Sequence, residues 1–162
     1  MTQEVTDADL VHLRRCVELA AEAVEAGDHP FGSVLVAANG TVLAEDRNRE
    51  VTAADPTRHP EFGLVRWAAA NMTPPDRAAA TVYTSGEHCP MCSAAHAWVG
   101  LGRIVYVASS AQLSGWLAEW GVAPGPVAAL PVAAIAPGIA VDGPEPGLGE
   151  QVKALYEAAF RP

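Results

Sequence analysis

The chain has 162 residues, half of them apolar, enough for one domain whose hydrophobic core needs no disulfide staples. Its 19 acidic residues outnumber 10 basic ones, for a formal net charge of −9, and Lys153 is the only lysine. That balance disfavours nucleic acid and other polyanions, which require clustered basic side chains, and no apolar run reaches the roughly 18 residues of a membrane span.

Thr6-Asp7-Ala8-Asp9 opens a helix: Thr6 can cap it, and the acids suit its positive end. Leu10, Leu13, Val17, Ala20, Ala21 and Val24 recur at helical spacing until Gly27 ends the run. Two β-prone runs, Ser33–Ala37 and Thr41–Ala44, flank Asn39-Gly40, the strongest short hairpin signal. A polar loop through Asp55-Pro56-Thr57 leads to a helix from about Pro60 through Ala68, and Pro74-Pro75 reads as a stop. Thr81–Thr84 and Ile104–Val107 read as buried strands, with short helices expected at about Pro90–Val99 and Gln112–Trp120. Between Gly121 and Gly149, Pro, Gly, Ala and Val dominate, so loops around two short edge strands, Val132–Ile135 and Ile139–Val141, are expected. Leu148–Phe160 reads as a closing amphipathic helix. A hairpin followed by alternating helices and strands implies a three-layer α/β/α sandwich with a mixed, roughly five-stranded sheet, one domain over residues 1–162.

Met1-Thr2-Gln3-Glu4 shows no basic region followed by an apolar stretch, which argues against a secretory signal. Three cysteines fit a reduced, cytoplasmic protein. Cys16 falls in the apolar pattern of the first helix and reads as core; Cys89 and Cys92 form a separate pair.

Two motifs carry chemistry: His59-Pro60-Glu61 and Cys89-Pro90-Met91-Cys92. In each, a proline suited to the first helical position places the preceding His or Cys at the helix cap. Cys89 and Cys92, three apart, project from one side of a helix start whose positive end favours thiolates. One imidazole and two thiolates make three zinc (Zn2+) ligands, and a fourth, open position is the mark of a catalytic site. Zinc brings the pKa of bound water towards about 7. Glu61, outside the ligand set, is placed to take the proton and pass it to a ring nitrogen and a leaving amine. The pairing matches in order and spacing the zinc deaminase signature H-x-E with P-C-x-x-C, with His88 in place of the proline before the first cysteine. Two other readings of the pair stay open: a metal-free thiol–disulfide protein using Cys89 and Cys92, and a closed zinc module in which His88 is a fourth ligand.

From Pro30 onward the chain resembles the cytidine deaminase-like superfamily, in the branch of guanine, cytosine and tRNA adenosine deaminases. Three segments carry the resemblance: Pro30-Phe31-Gly32-Ser33-Val34, Asp55-Pro56-Thr57-Arg58-His59-Pro60-Glu61, and Tyr83-Thr84-Ser85-Gly86-Glu87-His88-Cys89-Pro90-Met91-Cys92. It implies zinc on His59, Cys89 and Cys92 with Glu61 as proton shuttle. It also implies that Asn48 hydrogen-bonds the substrate, that Phe31 lines the base pocket and that Trp98 lies near it. His96, four residues after Cys92, is a further candidate to read the substrate. Glu119, between Trp116 and Trp120, is the candidate for the carboxylate that guanine-type members use to hold the base. The chain departs from the usual pattern at Pro60 and His88, and at Gly86, where cysteine is common. The expected substrate is a free nucleobase or related heterocycle, guanine-like first and cytosine or a triazine second. Nucleoside or tRNA adenosine deamination is the alternative, and no nucleic-acid or membrane partner is expected. The resemblance also implies a homodimer, with the Leu148–Phe160 helix packing across or swapping into a neighbour.

Overall fold

The computed structural model describes residues 4–162; the Met1–Gln3 part of the N-terminal reading lies outside them. Seven helices and five strands follow in the order α1 (Asp7–Glu25), β1 (Gly32–Val36), β2 (Val42–Arg47), α2 (Pro60–Asn71), α3 (Pro74–Ala79), β3 (Thr81–Gly86), α4 (Pro90–Trp98), β4 (Ile104–Ala108), α5 (Ser110–Glu119), α6 (Val132–Ile135), β5 (Val141–Asp142) and α7 (Gly149–Phe160). The sheet order is β2-β1-β3-β4-β5. β1 runs antiparallel to β2 and β3, while β4 runs parallel to β3 and β5, the mixed sheet expected.

Alternation along the strands assigns each side chain to a layer. Val34, Val36, Tyr83, Val105 and Val107 pack against α1 and α7, through Leu13, Cys16, Val152 and Tyr156. Leu35 and Val82 face the other way, onto Leu64, Val65 and Ala68 of α2. Ser33 and Thr84 share that second face and stand directly opposite each other in the β1–β3 register. They lie buried beneath the start of α2.

Thr6 caps α1 through a reciprocal box with Asp9, as its composition suggests. Two local readings are corrected. Val132–Ile135 forms a short helix, because the backbone N–H of Val132 is capped by the Glu87 carboxylate instead of joining a ladder. Pro74-Pro75 starts α3: Thr73 accepts from the Asp76 N–H, and prolines suit a first turn whose N–H groups lack partners. α7 packs on its own chain, with Tyr156 fully buried in its own core. Among the described residues no helix is long and apolar enough to cross a membrane.

Candidate active site

Two helix starts meet on the second face of the sheet. His59 and Cys89 are the N-cap residues of α2 and α4, each in extended conformation and each followed by proline. An N-cap side chain ordinarily accepts a hydrogen bond from its own helix, but neither does here, which leaves imidazole and thiol for a shared ligand. Cys92 lies buried within α4. His59 Nδ1 is 3.5 Å from Cys89 Sγ and 3.6 Å from Cys92 Sγ, and all three donor atoms lie within 4.8 Å of one another. A tetrahedral zinc with bonds of about 2.05 Å to nitrogen and 2.3 Å to sulfur would hold N and S roughly 3.6 Å apart. The donor set fits zinc with three protein ligands and one open position.

The three groups hydrogen-bond one another and share protons. The Cys92 thiol hydrogen-bonds Cys89 and, with His59, holds it down to about 4 against the effect of burial. That same bond, with burial, raises Cys92. Burial would lower His59, but Cys89 and Glu50 outweigh it and lift the imidazole to about 10. Binding of a cation therefore displaces the protons on Cys92 and His59.

Glu61 sits in the first turn of α2, buried. The Thr84 hydroxyl donates to its Oε1 at 3.1 Å, and the Ser33 hydroxyl lies 3.3 Å from that oxygen and 2.9 Å from Thr84 Oγ1. Burial raises its pKa, and the neighbouring Cys89 charge adds to that, opposed by His59. Glu61 lies outside the donor cluster yet lines the same cavity, of about 600 Å3. His59, Glu61 and Cys89 are among the polar groups lining that cavity, and Phe31, Leu113, Leu117 and Val127 are among its apolar walls.

Phe31 lines this cavity, backed by Tyr156 at 5.4 Å between ring centroids. The other candidates lie outside the cavity lining. Asn48 is buried, and its Nδ2 donates to Glu50 Oε2 at 2.6 Å while its Oδ1 accepts from the Glu50 N–H at 2.9 Å. His96 is buried with Nε2 donating to the Gly102 carbonyl at 2.7 Å. Trp98, at the end of α4, is 89% exposed, and Glu119 is exposed at the end of α5. His88 is fully buried edge-on to His96, with neither ring nitrogen partnered among the described residues, and stands outside the donor cluster.

Two residues were missed in the sequence. Glu87 lines the cavity and ties its walls together, accepting from the N–H of Ser110 at 3.1 Å and of Val132 at 2.9 Å. Glu50 Oε1 lies 3.6 Å from His59 Nε2, behind the donor cluster. Glu87 stands in the segment around Cys89 that carries the resemblance and Glu50 stands outside every motif, and three-dimensional placement reveals the contacts of both. The fold also gathers arginines that are scattered along the chain. Arg47, Arg49, Arg58 and Arg66 line a cleft of about 120 Å3 beside His59, with Arg47 paired to Asp28 and Arg49 to Asp46.

Comparison with known proteins agrees with this geometry. A probable cytosine deaminase of Schizosaccharomyces pombe is 36% identical over 110 residues, 68% of this chain and 66% of that protein. The guanine deaminase of Bacillus subtilis is 39% identical over 97 residues, 59% and 62% of the two chains. A tRNA-specific adenosine deaminase of Haemophilus influenzae is 33% identical over 97 residues, 60% and 56%. The chain thus spans less than two thirds of the length of these curated relatives. A structure of the guanine deaminase from Nitrosomonas europaea superposes with a TM-score of 0.69 at 21% identity, covering 98% of this chain and 86% of that one, which shows a shared fold. The model of the cytidine and deoxycytidylate deaminase zinc-binding region matches residues 6–108, more than half of the chain and all of the His59, Glu61, Cys89 and Cys92 constellation. It is to this zinc-binding deaminase family that the chain belongs.

Proposed function

We propose that the protein is a zinc-dependent hydrolytic deaminase that removes the exocyclic amino group of a small heterocycle as ammonia. A guanine-like base ranks first, cytosine or a triazine analogue second. The observation that carries this reading is Glu61, a buried carboxylate that lines the same cavity as His59 and Cys89 yet stands outside the donor set. Zinc at a three-ligand site supplies an activated water nucleophile near neutral pH. The rest falls to the chain. Glu61 accepts one water proton as oxygen bonds to the carbon bearing the amino group, and delivers it to the ring nitrogen. It then takes the second proton from the new hydroxyl and passes it to the departing amine, so that a C–O bond replaces the C–N bond and ammonia leaves. Thr84 and Ser33 keep the carboxylate aimed while it changes protonation. Phe31 offers a flat apolar surface for the ring.

A tRNA adenosine deaminase is the second reading, favoured by the Haemophilus influenzae relative and by the arginine-lined cleft beside His59. The net charge of −9 and the engagement of Arg47 and Arg49 by acids rank it below a small substrate. We read the assembly as a cytoplasmic homodimer, with the exposed Trp98 as apolar surface to be covered.

The test pairs metal analysis with ammonia release from amino-substituted bases and nucleosides, plus tRNA binding at low salt. The reading expects one zinc per chain and turnover of at least one base. Zinc-loaded protein inert towards every base and nucleoside overturns it, and tight tRNA binding with adenosine turnover promotes the second reading.

A further inference from the structure

The cavity is larger than a nucleobase. At roughly 30 Å3 for each water-sized group, about 600 Å3 accommodates on the order of 20 non-hydrogen atoms, about twice a purine base. Its lining is mixed. His59, Glu61, Cys89 and Glu87, with the hydroxyls of Ser110 and Ser114, are its polar groups, and Leu113, Leu117, Val122, Pro124 and Val127 give it a large apolar share. Among the described residues no lysine or arginine lines it, whereas the carboxylates of Glu61 and Glu87 do. A phosphate placed there would lose its hydration with no cation to replace it. A hydrocarbon group there would leave water and gain about fourfold in binding per buried methylene.

We propose, resting on the deaminase reading, that the preferred substrate is an amino-heterocycle carrying an uncharged apolar substituent, which fills the part of the cavity walled by α5 and residues 122–129. The test is kcat/KM for ammonia release from guanine and its 9-methyl, 9-butyl and 9-benzyl derivatives, from cytosine with the same substituents on N1, and from the matching nucleoside monophosphates. The expected order rises with apolar size, the benzyl compound exceeding the bare base by at least about 30-fold. The monophosphates come last. Leu117→Trp, which fills that space, reverses the order of benzyl derivative and bare base. A bare base turned over as fast as or faster than every derivative overturns the inference while leaving the deaminase standing, the cavity then being covered by solvent or a second copy. Zinc-loaded protein inert towards the whole series removes the deaminase reading as well.

A different observation carries a second inference. With Nδ1 of His59 facing the two sulfurs, Nε2 points back at Glu50 Oε1, 3.6 Å away. Glu50 is itself held on its other oxygen, by Asn48 Nδ2 at 2.6 Å and His29 Nδ1 at 2.9 Å. A carboxylate behind a ligating imidazole fixes the ring and strengthens it as a donor. The geometry assigns Glu50 as the positioning residue for the metal ligand His59, with Asn48 and His29 holding Glu50. The test is zinc affinity, measured by competition with a chromophoric chelator. Glu50→Ala weakens zinc about 10- to 100-fold, and the isosteric Glu50→Gln recovers part of the loss. If Glu50→Ala fails to fold, Glu50→Gln alone decides: it still binds zinc measurably more weakly than the parent. Either variant matching the parent affinity overturns the assignment.

Discussion

The Thr84 hydroxyl stands 3.1 Å from Oε1 of Glu61, a contact set by sheet register, since Thr84 lies opposite Ser33 on the strand face beneath α2. A fully buried hydroxyl aimed at a buried carboxylate fixes where the proton carrier points. Thr84→Val keeps the shape and removes the donor. Loss of a hydrogen bond to a charged group, about 1.5 kcal/mol, predicts roughly tenfold lower kcat with zinc content unchanged. Turnover equal to the parent at equal zinc loading would show that Glu61 needs no such support.

Tyr156 gives a stability prediction. Its hydroxyl is buried with no partner among the described residues, and a Cβ on Gly86 would approach it to 2.6 Å. Tyr156→Phe removes an unsatisfied polar atom and keeps the packing, so urea unfolding should show stability unchanged or raised by about 1 kcal/mol. Gly86→Ala should cost about 1–3 kcal/mol by overpacking. A loss of more than about 1 kcal/mol in Tyr156→Phe would mean that the hydroxyl has a partner in solution.

Asp9 sets an acid limit. Burial would raise its carboxyl, but the Arg103 guanidinium, the Thr6 N–H and the Tyr83 hydroxyl bring it down from 3.8 to about 2. A folded pKa below the unfolded one stabilises the protein above about pH 4, and that stability is lost as pH falls from 4 towards 2. Asp9→Asn should lose at least about 2 kcal/mol at neutral pH and show a shallower decline across that window. An acid-unfolding curve identical to the parent would contradict this.

The metal donors and Glu61 were legible because their spacing is local: a His or Cys before proline folds into a cap wherever the helix follows. The strands Ser33–Ala37 and Thr81–Thr84 were legible for the same reason, as alternation and β-branching act within a few residues. The Val132–Ile135 helix was not, because its start depends on Glu87, 45 residues away, capping the Val132 N–H. Family likeness pointed Asn48, Trp98 and Glu119 towards the substrate, and helical spacing pointed His96; these four stand outside the lining that Phe31, α5 and residues 122–129 provide. For Asn48 the cause is specific: Glu50, two residues on, takes both ends of its amide.

The most direct measurement is ammonia release by Glu61→Gln at matched zinc content. The substitution keeps the size and one acceptor oxygen for Thr84 and Ser33, and removes the charge and the ability to carry a proton. With zinc still on His59, Cys89 and Cys92, the rate should fall by about 10²- to 10⁴-fold. Ammonia released at the parent rate by the zinc-loaded variant would contradict a chemistry centred on this carboxylate.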